Sequence, residues 1–290
     1  METAELLKKV RKIEIKTRGL SNQIFSGEYH SAFKGRGMTF SEVREYMPGA
    51  DVRTIDWNVT ARFSTPFVKV FEEERELNVM LLVDMSASEA FGTRKQFKKD
   101  LITELCAVIS FSAATNNDKI GVIFFTDKIE KFIPPKKGKS HILRIIRELI
   151  NFTPQGKQTN ITQALRYLTN VIKKKSIVFL VSDFLTEGFE DAIKIANKKH
   201  DVVALRIADA AEKILPKIGL IKLKNNETGA IKWVNTNDEK FRKNYTEKAM
   251  LFGNKLNEIF NRSGVDHTEI DAVRGYVKPL MNLFRRRESR

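Results

Sequence analysis

Asp84-Met85-Ser86-Ala87-Ser88 stands directly after Val79-Met80-Leu81-Leu82-Val83, a continuous apolar run. Such a run marks a strand buried on both faces, and an open parallel sheet gathers its ligands outside the carboxyl ends of its strands. Ser182-Asp183 follows a second apolar run, Ile177 to Val181, and Gln158-Thr159-Asn160 precedes a helical stretch that begins at Ile161. Asp84, Ser86, Ser88, Thr159 and Asp183 are therefore expected to converge on one rim. Carboxylates and hydroxyls are hard oxygen donors that suit Mg²⁺ or Mn²⁺, ions that keep several waters and need few protein carboxylates. A plainer use is open to the same residues: Asp84 can cap the following helix while the serines satisfy loop amides.

The elements that must position this set alternate along the chain. After the strand at 79–83, Phe97, Leu101, Leu105 and Val108 form the stripe of a helix over 95–114. A strand (120–125), a hairpin-like partner (129–133) and a helix (140–149) follow, then a helix (161–172), a strand (177–181), a helix (190–197) and a strand (202–207). Strand and helix in this rhythm predict an α/β domain with a mostly parallel sheet covered on both faces. A helix is expected in the first 17 residues. From Gly19 to Phe71, glycine and proline punctuate short extended pieces at 54–57 and 67–71. The tail reads as a hairpin around 225–229, a long helix over 238–262 and a last helix ending in Arg285-Arg286-Arg287. The expected organisation is an N-terminal helix and β-rich module (1–77), a metal-site core (78–210), and a C-terminal hairpin and helices packing on that core (211–290).

Composition excludes several classes. The chain of 290 residues has one cysteine, Cys106, so no disulfide framework or cysteine zinc site is available. Cys106 itself falls in an apolar stretch and is expected in the core. The longest weakly polar run, 105–114, is far short of the roughly 20 residues that span a bilayer. The first residues are charged throughout and lack a signal-peptide apolar core, so a cytoplasmic protein is expected. The net charge of +15 is spread: +1 up to Asn78, +8 over 79–208 and +6 beyond, with clusters at Lys136, Lys137 and Lys139, at Lys173 to Lys175, and at Arg285 to Arg287. A basic surface can serve nucleic acid or an acidic partner, or only solubility. No recognition-helix or aromatic strand motif accompanies the charge, which leaves nucleic acid as an alternative without a module.

Asp84-x-Ser86-x-Ser88 with Thr159 and Asp183 resembles the metal-ion-dependent adhesion site of von Willebrand factor A domains. That resemblance implies a Rossmann-like sheet and a Mg²⁺-type ion held by these five residues, with one coordination position left for a partner's carboxylate. GluTyrHisSerAlaPheLysGlyArgGly (28–37), ArgGluTyrMetProGly (44–49), ValArgThrIleAspTrpAsn (52–58), ThrAlaArg (60–62), ValPheGluGluGluArgGlu (70–76) and SerAspPhe (182–184) resemble the bacterial family known as domain of unknown function fifty-eight. Its members are commonly encoded beside MoxR-type AAA+ ATPases, and the pair is thought to act in a chaperone-like or metal-insertion system. The resemblance thus implies an adaptor that captures an acidic residue, works with a MoxR-type ATPase on a client protein, and carries no catalytic residue. The sequence departs from the family at Ala50, where a second acidic residue is usual, and at Glu89, which adds negative charge beside Ser88.

Other chemistries fit less well. A phosphatase using Asp84 as nucleophile needs a second acid two residues on, and Ser86 stands there. Gly138-Lys139-Ser140 ends like a phosphate-binding loop, but Ile133 occupies the first glycine's place, so Ser140 is expected to cap a helix. His30, His141, His200 and His267 show no metal spacing. Arg36, Arg44, Arg53, Asp56, Trp57 and Arg62 have two uses open to them. They can pin irregular loops through arginine–carboxylate pairs and the Trp57 ring, or they can present a docking face together with Glu89.

Overall fold

A computed structural model describes residue 13 and residues 38–48, 51–63, 65–73, 77–86, 98–224, 230–271 and 274–288. Arg36, Ser88 and Glu89, the first helix apart from Ile13, and the turn at 225–229 lie outside the described residues.

Lys34–Leu77 is a unit of its own. In it β1 (Met38–Glu45) pairs antiparallel with β2 (Phe67–Glu73), with an irregularity between Phe40 and Glu42. Between them a 3-10 turn (Val52–Thr54) leads into α1 (Trp57–Phe63). The strand expected at 67–71 is present, but the extended piece expected at 54–57 is not. Ile55 makes only a single bridge, to Val68. The reason is local: the Asp56 carboxylate accepts the N–H groups of Asn58 at 3.0 Å and Val59 at 3.3 Å, which starts a helix and overrides the β-propensity of Thr-Ile.

The second unit holds Asn78–Arg290. It contains β3 (Asn78–Asp84), α2 (Lys98–Thr115), β4 (Lys119–Phe125), β5 (Ile129–Lys136), α3 (Lys139–Asn151), α4 (Ile161–Val171), β6 (Ile177–Ser182), α5 (Glu190–Lys199) and β7 (Asp201–Ala208). There follow α6 (Ala210–Lys213), β8 (Leu220–Lys224), β9 (Ile231–Asn235), α7 (Glu239–Arg262), β10 (Asp266–Asp271) and α8 (Val277–Glu288). Six strands form one sheet in the order β10-β7-β6-β3-β4-β5, parallel except for β5. This is the α/β fold anticipated above, a mostly parallel sheet flanked by helices. Numbered along the chain, its strands run 3-2-1-4-5-6, and the order reverses between β3 and β6. β3 lies between two neighbours, and Val79 to Val83 have no solvent exposure, as a continuous apolar run requires. Met80 and Leu82 face a core built with α4, α5 and α7, while α2 and α3 pack against each other and on β4. Cys106 is in this interior, and burial pushes its thiol far up.

Two details differ from expectation. β10 belongs to the central sheet although its sequence, DHTEID, has no apolar run and only Ile270 is fully buried. As an edge strand it is held by charge: Arg287 pairs with Asp266 at 3.1 Å and Asp201 at 2.5 Å, and Arg206 pairs with Glu269 at 3.1 Å. One arginine of the C-terminal basic cluster thus ties α8 to β7 and β10. In addition, Ser140 lies inside α3 and does not cap it; Gly138, at φ +99°, takes that position without a side-chain bond.

Candidate functional site

Asp84 ends β3, and parallel pairing of β3 with β6 brings Ser182 and Asp183 alongside it. Asp84 has no exposure, Asp183 is 2% exposed and Ser86 is 3% exposed. Asp84 Oδ1 accepts the backbone N–H of Ser86 at 2.9 Å, the turn that an Asp-x-Ser sequence favours. Asp84 Oδ2 accepts the Ser182 hydroxyl at 2.6 Å, and the Thr159 hydroxyl lies 3.3 Å from the same oxygen. Thr159, Ser182 and Asp84 are therefore joined directly. Ser86 and Asp183 flank the group, and Ser88 lies outside the described residues.

The loop carrying Thr159 has its own support. Glu130 Oε1 accepts the Gly156 N–H at 2.7 Å, the Gln155 N–H at 3.0 Å and the Thr126 hydroxyl at 2.9 Å. Asn160 donates its N–H to Thr126 O at 2.9 Å, and its side chain caps α4 by accepting the Gln163 N–H at 2.9 Å. Gly156 is needed for close approach: a Cβ there would lie 2.0 Å from Asp127 Oδ1 and 2.2 Å from Thr126 Oγ1. After Asp183 the chain turns through Phe184 at φ +61°, a left-handed conformation uncommon in a non-glycine residue. The Phe184 ring packs 5.1 Å from Phe260 and 5.8 Å from Phe189, and its N–H donates to Ser182 Oγ at 3.0 Å.

Burial, and then the charge of Asp183, push the Asp84 carboxyl up to about 6, against the hydrogen bonds from Ser182 and Ser86 that lower it. Two buried carboxylates among hydroxyls, without sulfur or imidazole, form a donor set suited to a hard dication. Among the described residues no group of three or more His, Cys, Asp or Glu side chains is poised to hold a metal. A cation here would rest on Asp84 and Asp183, with hydroxyls and water completing its shell.

Lys98 and Glu212 were not anticipated. The Lys98 ammonium lies 3.4 Å from Asp183 Oδ2 and 2.6 Å from Glu212 Oε1, and the side chain is wholly buried. A signal existed: position 98 falls on the stripe of Leu101 and Leu105, so a lysine there is carried inward. Ser182 was visible as a neighbour of Asp183, but its bond to Asp84 depends on strand register.

Of the residues considered for docking, Arg44 lies on β1, Arg53 on the 3-10 turn, and Trp57 and Arg62 on α1; all four are exposed. Trp57, at the start of α1, is 71% exposed. Asp56 pairs with Lys69 at 3.5 Å. His141 bonds Ile120 O through Nε2 at 2.9 Å, and His200 is buried. No helix among the described residues is long and apolar enough to cross a membrane.

The model of the family described as "Protein of unknown function DUF58" matches residues 42–252. The chain is 27% identical over 235 residues to the uncharacterized protein Rv1480 of Mycobacterium tuberculosis, covering 80% of this chain and 74% of that protein. It is 29% identical over 109 residues to the uncharacterized protein YeaD of Bacillus subtilis, covering 38% of this chain and 25% of that one. In fold it is similar to an aerotolerance-related membrane protein from Bacteroides fragilis, with a TM-score of 0.50 at 15% identity over 72% of this chain and 99% of the other.

Proposed function

This chain belongs to the DUF58 family, and we propose that it is a metal-dependent protein-binding module that captures an acidic side chain of a partner. The observation that carries this function is the union of Asp84, Thr159 and Ser182 beside Asp183 where the strand order reverses. Asp84, Asp183, Ser86 and Thr159 would hold Mg²⁺ or Mn²⁺, with Ser88 as the further donor that the Asp-x-Ser-x-Ser spacing implies. The bound ion would supply a coordination position for one carboxylate of the partner.

The chain's own residues prepare that position. Ser182 and Ser86 fix the rotamer of Asp84, and the Glu130-anchored loop sets the height of Thr159. The net charge of +15 draws an acidic face toward the site as a steering term that salt weakens. Binding rather than catalysis is favoured because Ser86 stands where a phosphatase would need its acid. The resemblance to the family supplies the partner class: a MoxR-type AAA+ ATPase, acting with this chain on a client protein, with Arg44, Arg53, Trp57 and Arg62 as a second contact face. The test is capture of a MoxR-type ATPase by the full chain in Mg²⁺ and in EDTA, with Asp84→Ala alongside. Capture is expected in Mg²⁺ alone and only with Asp84 present; equal capture in EDTA would overturn the proposal.

A further inference from the structure

Lys98 opens α2 with no exposure to solvent, on a stripe otherwise apolar. A buried ammonium persists only where opposite charge replaces its water. Here two carboxylates share that task unequally, Glu212 at 2.6 Å and Asp183 at 3.4 Å. Glu212 stands on α6, and its other oxygen accepts the Asp209 N–H at 3.2 Å, which fixes it at the end of β7. Lys98 is thus a link between a carboxylate of the metal site and a short helix further along the chain.

We infer that Lys98 is a tethered counter-cation: it balances Asp183 when no metal is present, yields to Glu212 when a divalent ion arrives, and so couples cation binding to α6. This inference rests on the metal-binding function proposed above. Its physical basis is that Asp183 cannot fully serve a dication and an ammonium at once. Like charges a few ångströms apart in a buried site repel with little screening. Glu212, already 2.6 Å away, is a place to which the ammonium can retreat while keeping a carboxylate partner. If Lys98 were there for stability alone, removing it would lower the unfolding midpoint and leave cation affinity where it was.

The experiment is Mn²⁺ titration of the full chain, followed by electron paramagnetic resonance, for the wild type, Lys98→Met, Glu212→Gln, the double variant and Asp84→Ala. Lys98→Met should bind Mn²⁺ at least about tenfold more tightly, because a competing charge is gone. Glu212→Gln should bind more weakly, because the ammonium is left to Asp183. In the double variant the Glu212 substitution should lose most of its effect, since the residue acts through Lys98. Affinity of Lys98→Met within twofold of the wild type, or an equal effect of Glu212→Gln in both backgrounds, overturns the inference. Should Lys98→Met fail to fold, the direction of the Glu212→Gln change decides: weaker binding supports it, unchanged or tighter binding overturns it. Absence of Mn²⁺ binding by the wild type, or undiminished binding by Asp84→Ala, is a different result, one that removes the metal site itself.

Discussion

The Ser182 hydroxyl donates to Asp84 Oδ2 at 2.6 Å and accepts the Phe184 N–H at 3.0 Å, so one side chain joins the end of β3 to the turn that carries Asp183. Ser182 has no solvent exposure, and neither has Asp84. Ser182→Ala would leave a buried carboxylate short of a donor and a buried N–H without its acceptor. A loss of about 1–3 kcal/mol in unfolding free energy is expected, read from the urea midpoint. An unchanged midpoint would mean that the bond contributes nothing net.

Glu130 carries the loop of Thr159 in the same sense. Its Oε1 accepts from Gly156, Gln155 and Thr126, and Glu130→Ala should cost about 2–3 kcal/mol and speed hydrogen exchange at the Gln155 and Gly156 amides. Glu130→Gln keeps an acceptor oxygen and should lose less than half as much. Slower exchange, or no change, in the alanine variant would show that the loop is held by something else.

Much of this arrangement was legible before the structure because burial on both faces leaves a plain mark. Val79 to Val83 and Ile177 to Val181 read as central strands, and the residues after them had to lie at the ligand-binding rim. Thr159 was legible from its place ahead of α4. β10 was not, since an edge strand of Asp, His, Thr and Glu has no apolar alternation and is held by Arg206 and Arg287 from distant parts of the chain. The helix at Trp57 was hidden for the opposite reason: the Asp56 cap is a local device that Thr54 and Ile55 outweigh in propensity but not in hydrogen bonds. Lys98, Glu212 and Glu130 act through contacts far apart in sequence, and spacing alone cannot pair them.

Trp57 separates docking from folding. With its side chain 71% exposed, Trp57→Ala should leave stability within about 0.5 kcal/mol of the wild type. If α1 is a contact face, capture of the ATPase should nonetheless fall at least about tenfold, as loss of an exposed aromatic anchor does at interfaces. Undiminished capture would remove α1 from the contact surface while leaving the role of Asp84 intact.

His200 contributes to the behaviour in acid. It is 1% exposed at the end of α5, and both ring nitrogens lack a hydrogen-bond partner among the described residues. Burial, and then the Lys199 charge, hold its imidazolium down to about 4, below the ordinary 6.5. The fold therefore takes up the proton less readily than the unfolded chain. Its contribution is complete above pH 6.5 and is lost as pH falls toward 4. The loss amounts to about 3 kcal/mol, at about 1.4 kcal/mol for each pH unit between the two values. His200→Leu cannot titrate and suits the apolar site, so unfolding free energies measured from pH 7.5 to 4 should show the wild type falling away from the variant below pH 6.5. Curves that stay parallel over that range would mean that His200 already carries its proton, or reaches water, in the folded protein.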